Sequence, residues 1–326
     1  MLDTSKAAFP KLNRGYGSVF RPGALTLGLV VPLDAHGADP RPDMARHRER
    51  AALADSLGFG ALWLRDVPFD VPSFGDAGQM YDPFVYLGYL AATTRDIALG
   101  VASIILPLRH PAHVAKAAAS ADELSGGRLL LGVASGDRPE EYPALGANYP
   151  DRGARFRESL AYIRAAAGAY PTYAGAHGQL NGGMDMLPKP TAARLPVLIT
   201  GGAQQSPDWV AEHGDGWMTY PRDPRAQGRL VADYRARSEA AGAPQKPVMQ
   251  SLYIDLLPDP AAPPWPIHLG FQCGTDFLRG YLAALAEGGV NHVALNLRFN
   301  GAGLEDTMER LAQDLLPEFP TPGDIQ

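Results

Sequence analysis

Residues 97–137 read IALGVASIILPLRHPAHVAKAAASADELSGGRLLLGVASGD. Two apolar runs typical of buried parallel strands, 97–106 and 128–134, flank an alanine-rich stretch that ends at Gly126 and Gly127. A glycine at this position commonly ends a helix. The pattern therefore predicts a strand, a crossover helix and a second, parallel strand.

Similar apolar runs recur along the chain, spaced as βα units are. The eight runs cover residues 25–31, 61–64, 97–106, 128–134, 197–200, 216–219, 249–257 and 290–297. Eight parallel strands with crossover helices predict a closed (β/α)8 TIM barrel of the α/β class. A doubly wound open sheet is the alternative, but residues 31–34 read VPLD, where that fold usually has a glycine-rich phosphate loop.

These runs predict one barrel over residues 25–317, with an N-terminal extension at 1–24 and a tail at 318–326. The segment between the fourth and fifth runs, at about residues 137–195, contains a helix pattern and a Gly/Pro-rich stretch. We interpret this segment as an insertion. A second irregular stretch, 258–272, follows the seventh run. We expect both at the C-terminal face, where barrel enzymes place their active sites.

The composition excludes several classes of protein. The chain has 29 Lys and Arg against 35 Asp and Glu, a net charge of −6, so nucleic acid is not an expected partner. The longest strongly apolar stretch, residues 97–108, is too short to cross a membrane. Residues 1–23 lack the apolar segment of a signal peptide, and the single Cys273 cannot form an internal disulfide. We expect a cytoplasmic protein.

Candidate site residues follow the strands. After the fifth run, TGGAQQSPD places two glycines before a helix start at Ser206, which suits a phosphate group; an ordinary turn with Ser206 as the N-cap is the alternative. The small residues Ala102 and Ser103 leave room for a flat ring at the barrel mouth, with close strand packing as the alternative. Both segments suit a protein whose chemistry comes from a bound cofactor.

Metal and nucleophile chemistry find little support in the sequence. His110 and His113 are three residues apart, but no third ligand is placed to complete a site, so we predict no metal. The chain contains no G-x-S-x-G motif, and Cys273 has no neighbouring histidine.

Together, these segments resemble the bacterial luciferase-like family of flavin-dependent oxidoreductases. The resemblance rests on LTLGLVVP (25–32), LGFGALWLRD (57–66), residues 97–137 and VLITGGAQQSPDWVAEHGDGWMTYP (197–221). The spacing G-x-A-x-I-x-L-P-x-x-H-P followed by S-x-G-R-L-x-x-G-V is specific to the family. The resemblance implies a barrel that holds reduced FMN, or F420 in some branches, and a monooxygenase reaction with molecular oxygen. The substrate is expected to be small and apolar, and a separate flavin reductase would supply the reduced flavin.

The resemblance also assigns positions. It implies a non-prolyl cis peptide between Ala102 and Ser103 beneath the flavin ring. Ser135 and Gly136 match the loop beside the ring and ribityl chain. The residues that match the phosphate-binding turn are Gly201, Gly202, Ala203 and Ser206.

The sequence departs from luciferases at two positions. Asp66 stands where they carry a catalytic histidine, and Ser135 where they carry an arginine, so light emission is not expected. Ser103 is a candidate catalytic residue. Asp66 is a candidate proton relay; the alternative is that its carboxylate pairs with Arg65 or caps the loop. Arg109 and His110 are further site candidates by position alone, although a histidine directly before a proline, as at His110, more often shapes the start of a helix.

Two apolar helix patterns predict a homodimer. Residues 83–93, opened by Asp82 as the N-cap, are apolar around most of the circumference, and six of the ten residues 112–121 are alanine. Such helices on the outside of a barrel need a covering surface, and the resembling proteins dimerise through this region.

The loops suggest a pocket and two competing functions. Residues expected to line the pocket are Phe74, Tyr81, Trp265, His268 and Phe271. An F420-dependent oxidoreductase would transfer hydride without oxygen and needs basic residues for the longer cofactor tail. The candidates for that contact are Arg222, Arg225 and Arg298. A flavin-binding protein without turnover is the third possibility, against which the long loops argue.

Overall fold

The computed structural model describes residues 8–321. Its helices are α1 (Arg14–Val19), α2 (His47–Leu57), α3 (Pro83–Thr93), α4 (Pro111–Leu124), α5 (Glu141–Ala144), α6 (Arg152–Ala166), α7 (Pro207–His213), α8 (Pro224–Ala240), α9 (Thr275–Glu287) and α10 (Leu304–Leu315). Its strands are β1 (Thr26–Val30), β2 (Ala61–Leu64), β3 (Ala98–Ile105), β4 (Leu129–Ala134), β5 (Thr172–Gly175), β6 (Gly178–Asn181), β7 (Val197–Thr200), β8 (Gly216–Thr219), β9 (Val248–Leu256), β10 (Trp265–Ile267), β11 (Gly270–Cys273) and β12 (His292–Asn296). Parts of the predicted extension (1–7) and tail (322–326) lie outside the described residues.

Eight parallel strands form a closed barrel in the order β1, β2, β3, β4, β7, β8, β9 and β12. β9 pairs with β8 on one side and with β12 on the other, and β12 pairs with β1, which closes the ring. The strands are apolar almost throughout because helices cover the outer face while side chains fill the interior. The predicted (β/α)8 barrel is confirmed, and the eight apolar runs correspond to the eight barrel strands.

The apolar core has two layers. One lies between the strands and the surrounding helices and includes Leu62, Val114 and Leu282. The other fills the barrel interior and includes Trp63, Leu130 and Met249. Strand residues alternate between the two layers, as the period of two requires.

The helix α1 covers the N-terminal end of the barrel. Its residues Tyr16 and Val19 belong to the interior cluster, together with Phe20. The hydroxyl of Tyr16 donates to the carbonyl oxygen of Asp215 over 2.7 Å, at the start of β8. The described part of the predicted N-terminal extension therefore packs against the barrel.

The predicted insertion at 137–195 contains three different structures. A loop with α5 follows β4, and α6 is the barrel helix that connects the fourth and fifth barrel strands. The antiparallel hairpin β5–β6 then packs on the outside of α6, where Ser159 Oγ lies 3.1 Å from His177 Nε2. Sequence reasoning merged these parts because the spacing between the two apolar runs was long.

The stretch 258–272 is more regular than the sequence suggested. It contains the hairpin β10–β11, whose second strand pairs parallel with β9. The turn of this hairpin places Leu269 at a φ of 49°, an unusual conformation for a leucine. Cys273 ends β11 and is fully buried, and burial raises the pKa of its thiol to about 11.

Across residues 8–321, no helix combines the length and apolar character needed to span a membrane.

Candidate active site

A cavity of about 620 Å³ opens at the C-terminal ends of the barrel strands. It brings together eight of the nine predicted site residues. These are Asp66, Ala102, Ser103, Ser135, Gly136, Gly201, Gly202 and Ala203. The ninth, Ser206, does not line the cavity: its hydroxyl caps α7 by accepting from the Trp209 N–H over 3.2 Å.

The end of β3 forms part of the cavity wall. The peptide bond between Ala102 and Ser103 is cis, which confirms the geometry that the resemblance implied. The hydroxyl of Ser103 hydrogen bonds with that of Thr200 and lies 3.7 Å from the sulfur of Met218. Contacts from the fifth and sixth barrel strands therefore hold Ser103 at the cavity wall.

The loop after β4 requires glycine at position 136. Gly136 has a φ of 76°, and a Cβ there would lie 2.7 Å from Ile105 Cγ2. Next to it, the Ser135 carbonyl oxygen accepts a hydrogen bond from the hydroxyl of Tyr142. The backbone of residues 135–136 is thus fixed where it lines the cavity.

The turn after β7 has the geometry of an anion-binding site. Gly201, Ala203 and Gln204 have φ values of 54°, 45° and 61°. Within residues 8–321, no acceptor is found for the backbone N–H groups of residues 202–204. Successive free N–H groups in such a turn form a concave surface that suits an oxyanion.

Arg152 stands near the same turn. The side chain of Gln205 donates to the Gly153 carbonyl oxygen over 2.8 Å, which joins the start of α6 to the turn. The neighbouring Arg152 lines the cavity, and its buried Nε has no hydrogen-bond partner in the described range 8–321. Its guanidinium lies over the ring of Tyr149, 3.8 Å from the centroid. A positive charge therefore accompanies the turn.

Asp66 is buried in an ion pair. Its Oδ1 accepts from Arg109 Nη2 over 2.6 Å, and its Oδ2 accepts from Arg109 Nε and from the Ile105 N–H. Burial opposes the charge of Arg109, but its hydrogen bonds to the carboxylates of Asp66 and Asp82 raise the pKa of this guanidinium above its usual value. The geometry favours a role for Asp66 in holding the ends of β2 and β3, and proton transfer by Asp66 stays a prediction.

Other arginines near the mouth bind the chain's own loops. Arg65 forms an ion pair with Asp76. Arg298 donates to the carbonyl oxygens of Gly37, Asp39 and Gly75 at 2.7–3.0 Å. Arg222 donates to Thr219 Oγ1 and to the Tyr220 carbonyl oxygen.

The loop residues predicted for the pocket divide into two groups. Phe74 and His268 line the cavity. Tyr81 and Trp265 are instead 44% and 71% exposed and do not line it, and Phe271 lines a second cavity of about 530 Å³ near α9. Side chains on loops cannot be aimed from sequence alone, which is why this prediction was partly wrong.

Besides Asp76, two arginines that line the cavity were not predicted from the sequence, Arg138 and Arg152. Both belong to the long segment after β4, and both line the cavity. Their position soon after a strand end and at a helix start was an available signal. Residues 8–321 contain no group of three or more His, Cys, Asp or Glu side chains that could hold a metal ion.

A buried histidine lies beneath the cavity. The indole of Trp63, which lines the cavity, donates to His292 Nε2 over 2.8 Å, so the proton of the neutral ring resides on Nδ1. That Nδ1 is 2.7 Å from Thr26 Oγ1, which in turn donates to the Val19 carbonyl oxygen. Burial lowers the pKa of His292 to about 3.

A closed parallel barrel with a cavity at the strand ends defines the class of (β/α)8-barrel proteins. The family model described as luciferase-like monooxygenase matches residues 25–259, and the chain belongs to this family. An uncharacterized protein of Mycobacterium tuberculosis is 30% identical over 222 residues, which are 63% of this chain and 75% of that protein.

Solved structures share the fold. Monooxygenase RslO1 from Streptomyces bottropensis has a TM-score of 0.76 at 20% identity, covering 90% of this chain and 99% of that one. An F420-dependent secondary alcohol dehydrogenase has a TM-score of 0.73 at 16% identity, with coverage of 90% and 98%. The oxygenating constituent of 3,6-diketocamphane monooxygenase from Pseudomonas putida, in complex with FMN, has a TM-score of 0.72 at 15% identity, with coverage of 92% and 100%.

Proposed function

We propose that this protein is a flavin-dependent monooxygenase that binds reduced FMN in the barrel mouth and acts with molecular oxygen on a small organic substrate. The observation that carries the proposal is that one cavity contains both the small residues Ala102 and Ser103 and the turn at 201–204. The two features suit the ring and the phosphate of one extended cofactor. Membership of the luciferase-like monooxygenase family supports the reaction class.

The residues present fit FMN. The free N–H groups of the turn and the unpartnered Nε of Arg152 would hold the phosphate. The Ala102–Ser103 segment would support the flavin ring, with Ser135 and Gly136 at its side. When bound, reduced FMN supplies the electrons that activate molecular oxygen.

The chain's own contribution is to bind, orient and exclude water. Ser103 would present its hydroxyl at the cavity wall, held there by Thr200. The buried pair of Asp66 and Arg109 would keep the β3 end in place through the Ile105 N–H. Loops carrying Phe74 and His268 would cover the site.

We favour FMN over F420 as the cofactor because the arginines suggested for the longer tail of F420 either bind loop carbonyl oxygens or lie away from the cavity. Arg298 and Arg222 donate to carbonyl oxygens of nearby loops. Arg225 is exposed at the start of α8 and does not line the cavity. F420 dependence remains the alternative function, because the turn and Arg152 would accept its phosphate as well.

The test is a binding titration with FMN, riboflavin and F420, comparing wild type with Gly202→Asp and the neutral, similarly sized Gly202→Asn. A Cβ at Gly202 meets nothing closer than 3.6 Å, so both variants are expected to fold. We expect wild type to prefer FMN over riboflavin, and Gly202→Asp to weaken FMN binding at least about tenfold more than Gly202→Asn does, because of charge repulsion.

Riboflavin binding should change equally in the two variants, since it carries no phosphate. Absence of FMN binding by wild type would refute the proposal, and binding of F420 alone would support the alternative. Oxygen consumption with reduced FMN, lowered in Ser103→Ala, would then separate a catalyst from a flavin-storage protein.

The proposal includes a homodimer, a separate flavin reductase and a cytoplasmic location. On α3, Val85 and Tyr89 are 73% and 40% exposed and lie one turn apart, so they form an apolar stripe on the outside of the barrel. This stripe supports the dimer. The reductase follows from the need for reduced flavin.

A further inference from the structure

We propose that the barrel mouth contains a carboxylate-binding subsite centred on Arg138, separate from the turn at 201–204, and that the substrate is a small organic acid. This inference rests on the function proposed above and names the substrate class. It goes beyond the apolar substrate expected from sequence.

The first observation is a buried guanidinium nitrogen that lacks a hydrogen bond. Arg138 lines the cavity and is 5% exposed, and its Nη1 has no hydrogen-bond partner among residues 8–321. The nearest carboxylate oxygen is Oε1 of Glu141, at 3.9 Å, which is too far for a hydrogen bond. Leaving such a group unsatisfied is costly, whereas a carboxylate offers it charge-assisted hydrogen bonds.

The second observation concerns the charged side chains that line the cavity. These are Arg65, Arg138, Arg152, Asp66, Asp76 and Asp137, of which Asp66 and Asp76 already form ion pairs with Arg109 and Arg65. Burial lowers the pKa of Arg65, and the nearby charge of Arg138 lowers it further. Arg65 lines the same cavity, with its charge balanced by Asp76. Burial also raises the pKa of Glu141 to about 7, so near neutral pH this carboxyl is only partly ionised. A bound anion would therefore balance Arg138.

The third observation is the direction of the side chain. Arg138 follows the fourth barrel strand, and its guanidinium lies 4.8 Å from the ring centroid of Phe74, in the loop after the second strand. It therefore reaches across the end of β3, away from the turn after β7. Phe74 and Ile105 supply apolar wall beside the charge, which suits an acid with an aromatic or aliphatic body.

The alternative for Arg138 is a buried ion pair with Glu141 that has no ligand. Within the part of the chain that the structure describes, both carboxylate oxygens of Glu141 also lack hydrogen-bond partners, so this pair satisfies neither side chain. The two interpretations differ for the wild type: a closed ion pair binds no anion until Glu141 is neutralised, whereas a subsite binds an anion with Glu141 in place. If the subsite exists, Glu141→Gln removes a competing negative charge and strengthens anion binding.

The experiment uses the FMN-loaded protein and two probes, benzoate and its neutral counterpart benzamide, followed by flavin absorbance and calorimetry. We expect wild type to bind benzoate at least about tenfold more tightly than benzamide. Arg138→Gln should lose this preference, and Glu141→Gln should strengthen it. Arg229→Gln, a matched change of an exposed arginine on α8, should leave it unchanged.

Several results would overturn the inference: equal binding of the two probes, no benzoate binding, or a preference that survives in Arg138→Gln. Benzoate binding that is absent in wild type and appears only in Glu141→Gln would support the simple ion pair. A loss of FMN affinity in Arg138→Gln with unchanged riboflavin affinity would assign Arg138 to the cofactor phosphate instead.

Calorimetry on cofactor-free protein separates this inference from the proposed function. If FMN fails to bind while benzoate still binds through Arg138, the flavin proposal is wrong and the anion subsite stands. If FMN binds and benzoate does not, the flavin proposal stands and the subsite is wrong.

Discussion

At the scale of single residues, His292 shows how burial fixes a protonation state. Both ring nitrogens are used inside the barrel, one as acceptor from Trp63 and one as donor to Thr26. A charged ring would need a proton on the nitrogen that accepts from Trp63, so charging it would break this chain of hydrogen bonds.

The stability of the protein is therefore expected to fall in acid. Because burial lowers the pKa of His292 from 6.5 to about 3, the unfolded chain binds a proton between these values that the folded chain does not. The contribution of His292 to the free energy of unfolding is fully present above the pKa that this residue has in the unfolded chain. Below that pKa it declines by about 1.4 kcal/mol per pH unit. Urea unfolding at about pH 7 and about pH 5 should show a loss of about 2 kcal/mol from this residue.

The matched control is His292→Gln, which has no titrating ring at this position. The free energy of unfolding of this variant should depend less steeply on pH, by about the same 2 kcal/mol over that interval. Identical pH dependence in the two proteins would mean that His292 is not responsible.

The limits of sequence reasoning also appear at the residue scale. Small residues after strand ends, such as Ser103 and Gly201, were predictable because barrels place their sites there. Arg138 was not selected, because its importance depends on a missing hydrogen bond and on a distance of 3.9 Å to Glu141. A sequence does not contain such distances.

At the scale of elements, the eight barrel strands were predictable and the two hairpins were not. Buried parallel strands are continuous apolar runs, so β1 and β4 are visible in the sequence as such. The strands β5 and β6 are largely exposed and carry no such pattern. Their pairing depends on contacts with α6 that are distant from any local signal.

The short helix α1 provides a test of close packing at the barrel end. A Cβ on Gly15 would lie 2.6 Å from the Arg128 carbonyl oxygen, whereas one on Gly17 would meet nothing within 4 Å. Gly15→Ala is therefore expected to destabilise the fold by about 1–3 kcal/mol. Gly17→Ala, the control in the same helix, should be neutral or stabilising by up to about 1 kcal/mol because alanine favours helix.

The measurement for both variants is the free energy of unfolding in urea. Equal stabilities of Gly15→Ala and Gly17→Ala would show that α1 does not pack on the barrel as described.

At the scale of the whole molecule, the proposed homodimer should depend on the apolar stripe of α3. A charge introduced at Val85 would be buried without a partner in such an interface, which is costly. We expect Val85→Asp to be monomeric and wild type dimeric in analytical ultracentrifugation, with the folded state retained because Val85 is 73% exposed.

The control is Met184→Asp, which also places a charge on an exposed apolar residue but lies outside α3 and α4. This variant should stay dimeric. A dimeric Val85→Asp would place the interface elsewhere, and a monomeric wild type would contradict the homodimer.

Because α1 covers the N-terminal end of the barrel, it also affects the kinetics of ligand exchange. With the N-terminal end closed by Tyr16, Val19 and Phe20, ligands exchange through the mouth. A molecule seated above another in that opening blocks the lower one from leaving. If the flavin occupies the inner position, its binding must precede that of the organic acid, and product must depart before the flavin can be exchanged. The order of events during turnover would thus be set by a helix at the opposite end of the barrel.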